Sequence, residues 1–199
     1  MPKWVEEITK EVKVDQTSTR REAIFSAPGF VKDAIKPHLA DERDALMIDL
    51  IFNLTVLIIP SAVLQYNLPA FLEPHSFWVG CAHLVMVYVF FVQRFILCLH
   101  YSEHKRLFKA NSPLTVLHAY LPYVLCNFFG IPGGVYRLHH VVMHHLEDNM
   151  FPEDLSSTMP YQRDSLMHFM HYWAKFFFAI HVELPLYAFN AKRWAVCLC

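Results

Sequence analysis

Paired cysteines and an excess of basic residues are both missing from this chain of 199 residues. Lysine and arginine number 17 against 18 aspartates and glutamates, which gives a formal net charge of −1. Because no basic face is available to neutralise phosphates, no nucleic acid is expected as a partner. No C-x-x-C pair occurs, which argues against a disulfide framework or a zinc knuckle and predicts buried free thiols at Cys81, Cys98, Cys126, Cys197 and Cys199.

Apolar residues, by contrast, make up 55% of the chain, and 17 residues are phenylalanine. This composition is unusual for a soluble fold and typical of a membrane protein. We therefore predict an all-α membrane protein in two parts. Residues 1–45 form a polar cytosolic arm that does not fit a secretory signal, and residues 46–199 form the membrane domain.

Two apolar stretches are long enough to cross a hydrocarbon core. The first covers residues 45–66 and contains Pro60, which predicts a kink, and the second covers residues 77–99. The loop between them has no Lys or Arg, whereas the arm contains eight, and three basic residues follow the second stretch: Lys105, Arg106 and Lys109. The positive-inside rule then places both ends of this transmembrane hairpin in the cytosol.

Three further segments complete the predicted architecture. Residues 114–131 are apolar but interrupted by polar residues, which favours an interfacial or re-entrant segment. Residues 147–164 are polar and predict a loop. Residues 165–189 begin amphipathic and become strongly apolar, which predicts an interfacial helix leading into a third span.

Histidine is the residue that needs a chemical explanation, since seven of 13 histidines fall within residues 100–145. His100 and His104 are four residues apart, so a helix places them on one face with Cβ atoms about 5–6 Å apart. In the second cluster His140 and His144 have the same spacing, and His145 is turned by roughly 100° around the helix. These spacings predict a metal site that holds more than one ion, and imidazole alone does not choose between zinc, copper, iron and nickel.

The two clusters, H-x-x-x-H after a membrane hairpin and then H-x-x-x-H-H, resemble the first two histidine boxes of the membrane fatty acid desaturases. The resemblance covers roughly residues 46–189 and implies metal ligation by His100, His104, His140, His144 and His145, with His139 as an extra candidate. It further implies two irons that use O2 to introduce a double bond into an acyl-lipid or acyl-CoA. Cytochrome b5 or ferredoxin is the implied electron donor, and the implied location is the endoplasmic reticulum or a plastid, among membrane lipids.

The third histidine box of that family is missing from these residues. His168 and His171 are not a substitute for it, because they lack the doubled histidine and fit interfacial packing better. We therefore expect a desaturase-like domain that is incomplete at its C-terminus, inactive alone and a poor metal binder. Glu147 and Asp148 follow the second cluster. They are interpreted either as carboxylates that orient the imidazole N–H groups of the ligands or as part of a solvated loop.

Three other functions fit the same residues. A membrane hydroxylase or carotenoid-modifying enzyme would use the same metal class. A divalent-metal transporter would place its histidines near the bilayer midplane, which the positions at helix ends disfavour. A truncated, non-catalytic product would keep the family signature without its activity.

Overall fold

The computed structural model describes residues 24–192, which form helices joined by loops, with no strand among them. This agrees with the all-α prediction, whereas the rest of the N-terminal arm, Cys197 and Cys199 lie outside the described residues. The helical segments that position the site are α1 (Gly29–Ile35), α2 (Glu42–Tyr66), α3 (Glu73–His104), α4 (113–129), α5 (135–147) and α6 (Leu166–Asn190).

The predicted hairpin is present as α2 and α3, both long and apolar enough to cross a membrane. Within α2, Pro60 follows a π-helical segment, Leu54–Ile58. The proline has no N–H to bond the carbonyl four residues earlier, and the wider turn accommodates that loss without ending the helix. The third predicted span forms the continuous helix α6, but among the described helices only α2 and α3 meet the length and hydropathy required of a span.

The largest apolar core joins α2, α3 and α4. Leu54 of α2, Phe91 and Phe95 of α3 and Leu125 of α4 are all buried, and the ring of Phe95 stacks on that of Phe129 at 4.0 Å between centroids. Removing a buried phenylalanine of this kind costs about 3–5 kcal/mol of stability. The segment predicted to be interfacial or re-entrant therefore packs along the hairpin.

Residues before α2 are anchored onto it by a buried carboxylate. Asp49 accepts a hydrogen bond from the backbone N–H of Ala27 at 2.8 Å and forms an ion pair with Lys32 at 2.9 Å. Further along, the backbone around Leu39 pairs with that around Phe108, just beyond the end of α3. The start of α2 and the end of α3 are consequently held together on the side of the molecule that carries the histidines.

A second, smaller core joins α5 to α6 through the intervening loop. Leu138 and Met143 of α5, Leu155 of the loop and Leu184 and Ala188 of α6 are all buried in it. The polar stretch between these helices forms turns without regular helix, as predicted. This packing places the loop directly beside the second histidine cluster.

Candidate metal centre

The first histidine pair lies in the last turns of α3. This part of the helix, Val92–His104, is regular α-helix, and the ring centroids of His100 and His104 are 4.9 Å apart. The prediction that four-residue spacing puts both imidazoles on one face is confirmed.

The second cluster lies in a π-helical segment, Leu138–His144, within α5. The N–H of His145 donates to the carbonyl of His140, five residues earlier. Residues five apart therefore share a face here, because the backbone hydrogen bonds join i to i+5. The Nε2 atoms of His140 and His145 are 3.3 Å apart. The rings of His140 and His144 are also neighbours, with centroids 5.6 Å apart, as the four-residue spacing predicted. The donor nitrogens that come together, however, are those of His140 and His145.

Three imidazole nitrogens from the two helices converge on one point. The Nε2 atoms of His104 and His140 are 2.9 Å apart, and each lies 3.3 Å from Nε2 of His145. Donor nitrogens of His100, His104 and His140 all lie within 4.8 Å of one another. Metal–nitrogen bonds of about 2.0–2.1 Å place neighbouring ligands roughly 2.8–3.4 Å apart when the angle between them is about 90–109°. The observed separations match those of ligands on a single ion.

Hydrogen bonding alone does not satisfy this arrangement. Each Nε2 carries either one N–H or one lone pair in the plane of its ring, so three mutually close nitrogens cannot all be hydrogen-bonded to one another. A cation between them would accept all three lone pairs. Burial, together with the neighbouring histidines, lowers the pKa of His140 to about 4. Its ring is neutral at neutral pH, which is the form that binds metals.

His144 points to a different partner, the carboxylate of Asp154 in the loop. Its Nδ1 donates to Asp154 at 2.6 Å, and Asp154 is fully buried. Burial acts to raise the pKa of Asp154, but hydrogen bonds from Ser156 and His144 outweigh it and hold the pKa below its usual value. An ionised Asp154 fixes the tautomer of His144 and leaves its Nε2 lone pair available, as carboxylates beside metal-binding histidines do.

Sequence reasoning missed Asp154 and weighed two other carboxylates instead. Glu147 accepts a hydrogen bond from the hydroxyl of Tyr187 at 2.6 Å, and Asp148 is exposed in a left-handed turn. The available signal was the Asp154-Leu155-Ser156 pattern, in which an aspartate accepts from the backbone two residues on.

Tyr136 is a second residue that the sequence did not single out. Its hydroxyl lies 3.2 Å from Nδ1 of His100, and its ring stacks on His140 with centroids 5.3 Å apart. Burial, aided by the charge of Glu103, raises the pKa of Tyr136, so the hydroxyl keeps its proton. This contact occupies Nδ1 of His100 and leaves its Nε2 for a ligand role.

Four of the six candidate ligands are thus brought together: His100, His104, His140 and His145. His144 and His139 stand beside this group. The ring of His139 packs edge-on against Phe176 at 5.3 Å, and its buried Nε2 has no hydrogen-bond partner among residues 24–192.

The remaining histidine pair is on α6. His168 and His171 are exposed and contact Tyr161 edge-on, as the packing interpretation of this pair expects. Neither belongs to the group of histidines that is close enough to hold an ion within the described part of the chain.

Comparisons of the chain with protein-family models, with curated proteins and with solved structures found no match. Fold and site define a class by themselves: an all-α chain whose histidines converge in a group that suits a metal ion.

Proposed function

We propose that this protein is an iron-dependent membrane oxidoreductase of the fatty acid desaturase type, which introduces a double bond into an acyl chain with O2. One observation carries the proposal: imidazoles from two helices converge at the end of an apolar hairpin. A centre in that position meets both the aqueous phase, which supplies electrons, and the bilayer, which supplies the acyl chain.

The hairpin supports a membrane location. Only 28% of the most apolar 18-residue stretch in each of α2 and α3 is buried within the protein. Large apolar side chains of α3 are exposed instead, including Val89 at 71% and Leu97 at 60%. Such faces are stable against lipid and costly in water. With basic residues beyond α3, the proposed orientation puts the centre on the cytosolic face of the endoplasmic reticulum, or of a plastid membrane.

The donor set fits iron. Neutral imidazole is a ligand that iron accepts, and the Nε2 atoms of His104, His140 and His145 have the spacing of ligands on one ion. His100 lies beside them, with its donor nitrogen within 4.8 Å of those of His104 and His140. Bound iron would supply the O2 chemistry that protein side chains lack. Asp154 orients the imidazole of His144, and Tyr136 orients that of His100, each through a hydrogen bond to Nδ1. The Nε2 atom of His144 would then be available to bind a second iron.

The test expresses residues 1–199, and any longer product of the same gene, in cells whose own desaturase has been deleted. Purified protein is assayed for iron, and membrane lipids are assayed for new double bonds and hydroxyl groups. We expect iron bound by the histidines of residues 1–199, weakly because part of the ligand set is absent. We expect double bonds only where a longer product supplies a third histidine box, with cytochrome b5 or ferredoxin as donor.

Each outcome bears on the proposal. Hydroxylated lipid without new double bonds would replace desaturation by hydroxylation at the same centre. Protein that binds no iron in any form would refute the proposal, as would iron binding that survives His104→Ala.

A further inference from the structure

A cavity of about 520 Å³ opens beside the histidine group, between the end of α3 and the starts of α4 and α5. His104 lines one side of it, so the cavity and the candidate metal centre share a wall. The polar residues that face it include Ser102, Lys105, Arg106, Thr115, Tyr123 and Arg137. We call it the basic cavity.

The charge of the basic cavity is positive. Its lining contains three cations and one carboxylate, Glu103. That carboxylate accepts a hydrogen bond from Arg137 at 2.8 Å, and its side chain is only 2% exposed. Lys105 is held by Asp41 at 3.1 Å, outside the cavity. Arg106 forms no ion pair with any residue between 24 and 192 and is exposed. Within the described part of the chain, the guanidinium of Arg106 is therefore left without a counter-charge.

Hydrogen-bond donors also outnumber acceptors in the basic cavity. Arg106 offers all five of its N–H groups, and Arg137 keeps those that do not reach Glu103. The hydroxyls of Ser102 and Thr115 donate to backbone carbonyls rather than into the cavity. A complementary ligand must therefore bring acceptors and negative charge. A phosphate group has three acceptor oxygens and about −1.5 to −2 charges, and it matches the planar fork of arginine.

We propose that the basic cavity binds the phosphate of an ester, with Arg106 as the principal contact and Arg137 as the second. The proposal rests on the proposed function in one respect: the ester is taken to be the carrier of the acyl substrate. Phosphate of this kind has two sources, the nucleotide part of coenzyme A and the headgroup of a membrane phospholipid. In either case the carrier is held next to His104, so its acyl chain starts beside the metal centre.

The test measures binding to the full chain, freed of metal by a chelator and purified in an uncharged detergent. One arm titrates coenzyme A against its phosphate-free counterpart, pantetheine. The other titrates short-chain phosphatidic acid against the matching diacylglycerol. We expect a phosphate-bearing probe to bind, its phosphate-free counterpart to fail, and the affinity to fall with added salt. Coenzyme A as the ligand identifies a soluble carrier, and phosphatidic acid identifies a membrane lipid.

Three variants make the assignment specific. Arg106→Gln should lower the affinity for the phosphate-bearing probe about tenfold or more, because a charge-assisted contact is lost. Arg106→Lys keeps the positive charge but not the planar fork of the guanidinium, and it should lower the affinity less than Arg106→Gln does. Arg163→Gln removes the same charge from an exposed site outside the basic cavity and should bind as the parent does.

Absence of binding by both phosphate-bearing probes would overturn the proposal, as would equal losses from Arg106→Gln and Arg163→Gln. Since no metal and no turnover enter the assay, failure of the phosphate site is distinguishable from failure of the iron-dependent function.

Discussion

The two helices that build the metal centre reach the same result by different backbone geometry. α3 presents His100 and His104 from a regular α-helix, where four residues return to the same face. α5 presents His140 and His145 from a π-helical turn, where five residues do so. The spacing of ligands in a sequence therefore assigns partners only when the helix type is known. Three other π-helical segments, at 54–58, 86–91 and 120–124, carry none of these histidines, so the one in α5 is singled out by its ligands and not by its geometry.

The largest effect should come from removing a nitrogen that both helices share. His104 is in contact with His140 and with His145, so His104→Ala removes the imidazole through which α3 meets the ligands of α5. We expect the affinity for Co²⁺ to fall more than about a hundredfold. The measurement is a titration of the purified chain with Co²⁺, monitored by the absorption spectrum of the bound ion. His168→Ala removes an exposed histidine of α6 and should change the affinity less than twofold. Equal losses from the two variants would contradict the site.

An insertion in α3 tests its α-helical register. One alanine added after Ser102 turns the four-residue spacing of His100 and His104 into five, which in an α-helix rotates the second imidazole by roughly 100°. The loss of Co²⁺ affinity should approach that of His104→Ala. An alanine inserted after Asn67, in the loop that precedes α3, leaves the helix from Glu73 to His104 unchanged and serves as the comparison for the insertion itself. A similar loss of affinity there would remove the argument from register.

Asp154→Asn tests the carboxylate behind His144 without changing its shape. The amide cannot serve as an anionic acceptor, so the tautomer of His144 is no longer fixed. We expect about a 10- to 100-fold loss of metal affinity or activity, the range usual for such partners. Nitrogen NMR of the imidazoles should show a mixture of tautomers at His144. Asp148→Asn, at an exposed position nearby, should alter neither measurement. A single unchanged tautomer of His144 in Asp154→Asn would contradict the orienting role of Asp154.

A deletion in α5 should be tolerated, in contrast to the insertion in α3. Removing Val141, which lies outside the buried apolar clusters, shortens the spacing of His140 and His145 to four and converts the π turn into an α turn. The same two imidazoles then stay on one face. Co²⁺ affinity should remain within about tenfold of the parent. A complete loss would mean that the π turn does more than align this pair.

The smallest effect should come from Tyr136→Phe. The phenol engages His100 at 3.2 Å, longer than the contact of Asp154 with His144 and without a charge. Loss of one neutral hydrogen bond is worth about 0.5–1.5 kcal/mol, or roughly two- to tenfold in affinity. Titration with Co²⁺ at constant ionic strength measures it, and a loss larger than that of Asp154→Asn would reverse the ranking of the two orienting residues.

The features that local sequence pattern determines could be predicted. Apolar runs gave the positions of α2 and α3, and regular helix gave the pairing of His100 with His104. The approach of His145 to His140 could not be predicted, because nothing in the residues between them marks a backbone hydrogen bond to i+5. Asp154 was missed for a related reason: its contact with His144 depends on how a loop folds back.

The ion pair between Glu103 and Arg137 has a consequence for how an ion enters the centre. Glu103 immediately precedes His104, and Arg137 lies three residues before His140, so this bond joins the same two helices that the metal would join. The side chain of Glu103 is 2% exposed and that of Arg137 is 54% exposed, so the pair is partly shielded from water and holds its partners more firmly than a fully exposed pair does. The helices are therefore preorganised at the ligand spacing before any ion arrives. Binding then needs little folding, and loading and removing the metal should leave the helical content of the protein unchanged.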